Sequence, residues 1–194
     1  LIPLFDPADI IVLGKTSKDI RANDLGSFNI NAKLKRFFKD PRGFRSIQAQ
    51  CDALICNDFA RRFFTGAQWP LLSTYVFKSF DILKDYLEAE GYKVLQNHNN
   101  PPMNNNAYTR VVQYQKVTTQ GSTTLIFVHS APTLPAIYSL LIKAMTTSNL
   151  AFITWNKAYS LASLTTLVKK EAYLLGEVSE AISPGLMVHE KEGI

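Results

Sequence analysis

Few residues in this 194-residue chain are spaced for chemistry. Asp81 and Asp85 stand four apart, which puts them on one face of a helix. Two carboxylates there could share a divalent cation. With Lys78 and Lys84 beside them, the expected reading is a solvated charged face. His129 and Ser130 are a base and a nucleophile by type. They follow a β-branched run, and neighbours on a strand point to opposite faces, so neither can activate the other. Cys51 and Cys56 are the only cysteines. Read on one helix they lie about 140° apart around its axis, poorly placed to pair. No Cys or His stands at metal-finger spacing, so both are expected to be small buried thiols and no metal is expected. His98 and His189 fall in polar surroundings and are expected in solvent. No glycine-rich phosphate loop or dinucleotide fingerprint occurs. Phe59, Phe63, Phe64, Trp69 and Phe77 recur mostly at helical spacing, which suits a core better than a base-stacking platform.

Charge is the other feature that could recruit a ligand. The net charge is +5. Residues 33–62 hold eight bases (Lys33, Lys35, Arg36, Lys39, Arg42, Arg45, Arg61 and Arg62) against Asp40, Asp52 and Asp58, which equals the whole surplus. Such a patch attracts phosphates without reading sequence. Aromatic residues are not interleaved as in single-strand binders. The expected reading is a solvated basic face, with weak nucleic-acid binding as the alternative.

Several elements must position these residues. The spacing predicts a helix over 7–22, capped by Asp6 with Pro7 in its first turn. A second helix is predicted over 29–38. Asp40-Pro41-Arg42-Gly43 reads as a turn, followed by a third helix over 44–64 that breaks or ends near Asn57. A strand over 74–77 precedes a helix over 79–90 whose stripe is Phe80, Leu83, Tyr86 and Leu87, with Gly91 as its stop. Residues 92–95 read as a strand and 96–107, with six Asn in twelve residues, as a mobile loop. Alternation over 111–117 and a β-branched run over 123–128 predict a hairpin around Gln120-Gly121. A helix over 135–147, an extended piece over 152–155, a last helix over 164–175 and a loose tail complete the pattern. The fold class expected is α+β, a small mixed sheet flanked by helices.

Composition limits the function classes. Hydrophobic residues make up 46% and charged residues 19%, enough apolar surface to exclude a disordered chain. The longest apolar run, 131–142, stops at Lys143, too short to span a membrane. With two cysteines and no secretory leader pattern, an intracellular, cytoplasmic or nuclear setting is expected. The first residue is Leu1 rather than Met, so a fragment is expected.

One stretch is more distinctive. Residues 54–77, LICNDFARRFFTGAQWPLLSTYVF, resemble a large group of mostly uncharacterised fungal proteins with a nucleotidyltransferase-like fold. Further matches are FRSIQA at 44–49, Gly91-Tyr92 and ITWNKAYSL at 153–161. The resemblance spans about residues 1–175. It implies a site in which Gly-Ser at a helix N-terminus holds triphosphate oxygens. An Asp-x-Asp on the next strand would hold two divalent metals that stabilise the attacking and leaving oxygens. On this chain Gly-Ser falls on Asn57 and Asp58, and Asp-x-Asp on Ser73, Thr74 and Tyr75. Residues 66–80 contain no acid, and none occurs between Glu90 and Glu171. The resemblance therefore implies a scaffold that has lost its chemistry and works as a binding module, with no cofactor and a protein partner. The alternative is a metal-dependent nucleotidyltransferase with rearranged ligands such as Asp58 and Asp81, using Mg and NTP. Residues 4–21, LFDPADIIVLGKTSKDIR, also resemble the later half of an F-box, which implies a protein-interaction adaptor. The expected layout is an F-box-like helical segment over 1–40, a nucleotidyltransferase-like domain over 41–176 and a loose tail over 177–194.

Overall fold

The computed structural model describes residues 28–65, 71–76, 79–100, 109–117, 121–130 and 134–176. The helix expected over 7–22, the F-box-like stretch, Trp69, Phe77 and the tail lie outside them.

Short polar caps start the first two helices. Asn29 caps α1 (Ile30–Leu34), its Oδ1 accepting from Ala32 N at 3.2 Å. Asp40 caps α2 (Pro41–Gln50), accepting from Arg42 N at 3.0 Å. The turn expected at residues 40–43 is instead a helix start, because a capping Asp followed by Pro at the first helical position is itself an N-terminal signal.

The single helix expected over 44–64 is three elements. After α2, Cys51 caps the end and Asp52 turns the chain at φ 48°. The strand β1 (Leu54–Cys56) follows, buried at every position, and then α3 (Asn57–Thr65). A short apolar run buried on both sides has no alternation to separate it from helix, so periodicity misread it. Cys51 and Cys56 therefore sit on different elements; both are buried, free thiols.

The strand β2 (Leu71–Val76) leads to α4 (Phe80–Ala89). α4 ends with Gly91 at φ 91°, where Gly91 N donates to Glu88 O and Tyr92 N to Leu87 O, each at 3.0 Å. β3 (Lys93–Asn100) runs into the stretch expected to be a loop. Residues 93–97 are all exposed, and the strand is held by backbone pairing with β4 (Thr109–Val117) rather than by burial. β4 and β5 (Thr123–Ser130) pair antiparallel down to Val117 opposite Thr123, the expected hairpin.

α5 (Ala136–Lys143) is shorter than the helix expected over 135–147. β6 (Ala151–Ile153) and β7 (Ala158–Ser160) form a second small hairpin, closed by Thr154 N donating to Lys157 O at 2.8 Å. The last helix is a wide helical turn over Leu164–Lys169 that stops at Lys170, φ 57°. The chain after it returns alongside residues 145–147: Leu175 N donates to Met145 O at 3.0 Å and Thr147 N to Tyr173 O at 2.8 Å.

These strands form one seven-stranded sheet in the order β3-β4-β5-β2-β1-β6-β7. β2 and β5 pair parallel and the other neighbours antiparallel. Leu72, Val76, Val112, Ile126 and Val128 face the larger core, with Phe37, Phe38, Phe44 and Leu83 from the chain around α1, α2 and α4. Phe38 stacks on Phe44 at 3.9 Å, and Tyr92 Oη donates to Phe37 O at 2.7 Å. The opposite face carries a smaller core of Leu54, Cys56, Tyr75, Ala136, Leu140 and Phe152 beneath α5.

Candidate functional site

β1 leads into α3 and pairs with β2. Cys56 ends β1 and Asn57 begins α3 in the left-handed region, φ 59°. Asp58 follows in the first turn, where a negative charge suits a helix N-terminus. Its Oδ1 accepts from Arg61 Nη2 at 3.0 Å, and Arg61 is itself only 3% exposed.

Along β2 the alternation sends Leu72, Thr74 and Val76 into the larger core and Ser73 and Tyr75 to the other face. Antiparallel pairing sets Ser73 opposite Cys56 and Tyr75 opposite Leu54. Parallel pairing sets Ser73 beside Phe127 and Tyr75 beside His129. Of the four positions singled out by sequence, Ser73 lies beside the end of β1, just before Asn57 and Asp58 in the chain, and Tyr75 lies two residues further along β2.

The surroundings of Tyr75 are aromatic and aliphatic. Tyr75 is 4% exposed and stacks on His129, ring centroids 4.5 Å apart and planes 21° from parallel. α5 lies over Tyr75, with Lys143 Nζ 6.0 Å from its ring centroid. Cys56 Sγ donates to Ser73 O at 3.4 Å. His129 Nδ1 and Ser139 Oγ are buried without a hydrogen-bond partner.

The electrostatics of this layer follow from burial. Desolvation disfavours the charged form of every group. It pushes the Tyr75 hydroxyl far above its ordinary range, with Cys56 adding to the effect. It pushes the Cys56 thiol up as well. It pulls His129 down to about 4, helped by the Lys143 charge. Tyr75, Cys56 and His129 are therefore all neutral at pH 7. Among the described residues, no three His, Cys, Asp or Glu side chains gather to hold a metal ion.

The other singled-out residues lie elsewhere. Asp81 and Asp85 are exposed on α4. Ser130 is buried and faces away from His129, next to Val76 in register. Phe59 and Phe63 are buried in the larger core, with Phe64 packed against it. The eight bases divide. Lys35, Arg36, Lys39 and Arg42 are exposed. Arg45 is drawn inward: its Nε donates to Trp155 O at 2.6 Å and its Nη1 to Asn31 Oδ1 at 3.2 Å. Lys33 is half-buried over the Phe63 ring, Arg62 is half-buried, and Arg61 is buried with Asp58. Four of the eight are thus open to solvent.

Sequence reasoning missed His129 as the partner of Tyr75. The alternation of β5 puts Phe127 and His129 on one face, but nothing along the chain announces that β5 lies parallel to β2.

No protein-family model and no curated protein sequence matches the chain. Solved structures do. The Thermotoga maritima CCA-adding enzyme complexed with tRNA is similar over 79% of this chain and 37% of that one, with a TM-score of 0.50 and 13% identity. The fold is nucleotidyltransferase-like. The apo form of a CCA-adding enzyme is similar over 82% of this chain and 39% of that one, at 15% identity and a TM-score of 0.48. The chain spans well under half the length of either.

Proposed function

We propose that this is a non-catalytic domain on a nucleotidyltransferase-like scaffold, acting as a protein-interaction module. The observation that carries this reading is Tyr75. At the position where the family resemblance calls for a metal-binding carboxylate, its phenol is buried against His129, Leu54 and Leu140 beneath α5. Metals that stabilise attacking and leaving oxygens need anionic ligands and an open approach. A neutral phenol under a helix supplies neither. Ser73 adds only a neutral hydroxyl, and the Asp58 carboxylate is engaged by Arg61.

The test is thermal denaturation with a panel of NTPs, each with and without Mg²⁺ or Mn²⁺. A ligand that binds only the native state raises the melting temperature. The expected result is no metal-dependent rise at millimolar nucleotide. Metal-dependent NMP transfer by the pure protein would overturn the proposal and restore the enzyme reading, with Asp58→Ala as the variant that then abolishes transfer.

A further inference from the structure

We draw no further inference here: the strongest candidate, the exposed apolar outer face of α5 at Tyr138, Leu141 and Ile142 with Met145 beyond its end, carries nothing because nothing in the structure shows what covers it.

Discussion

At the scale of single residues, Tyr75 bears most on the proposed function. Its ring is part of the smaller core, so placing a carboxylate there conflicts with packing. Tyr75→Asp should destabilise the domain by about 3 kcal/mol or more, since it removes a buried ring and buries a charge without a partner. Urea denaturation measures this; an unchanged midpoint would mean that the position is open to water. His129 gives a second prediction. Burial holds its pKa at about 4 in the folded state, below the ordinary 6.5. The unfolded chain therefore takes up the proton first as pH falls. The stability contributed by the neutral ring is complete above pH 6.5 and is lost between 6.5 and about 4. The loss should amount to about 2–3 kcal/mol by linkage, after allowing for the ring's partial exposure. Denaturation midpoints measured across that window should fall in the parent and stay flatter in His129→Asn.

At the scale of elements, stops and clear stripes were legible, and segments without a period were not. The stop of α4 was legible: Gly91 takes a positive φ, and the Gly91 and Tyr92 amides bond back to Glu88 and Leu87. Gly91→Ala should destabilise by about 1 kcal/mol, because a Cβ disfavours that backbone region. Nothing lies within 4 Å of the added carbon, so conformation rather than collision sets the effect. A calorimetric Tm that did not move would refute this account. The stripe of α4 was equally legible, with Phe80, Leu83 and Leu87 all buried. β1 was not, because Leu54, Ile55 and Cys56 are buried on both faces and show no period of two. β3 was legible only in its first half: residues 92–95 read as a strand, whereas its continuation over 96–100 is a polar stretch without alternation that pairing with β4 makes a strand.

At the scale of the whole molecule, folding redistributes charge that looks concentrated in the chain. Arg45, Arg61 and Lys33 are turned toward internal partners, and Arg62 is half-buried. Four exposed bases remain from the eight. Non-specific binding to duplex DNA should therefore be weak, with a slope of log affinity against log salt no steeper than about −4. Titrations at several salt concentrations measure it. A slope near −7, the value for all eight bases, would mean that the inward-turned residues swing out.

Sequence alone determined the α+β class, the β4–β5 hairpin and the absence of carboxylates at residues 66–80, because composition, caps, turns and alternation are properties of neighbours along the chain. Tertiary structure alone decided that α5 lies over Tyr75 and that Tyr75 stacks on His129. That contact joins residues 54 positions apart through parallel pairing of β2 with β5. Register of that kind is set by which faces can be buried together, a property of the assembled sheet that no segment carries by itself.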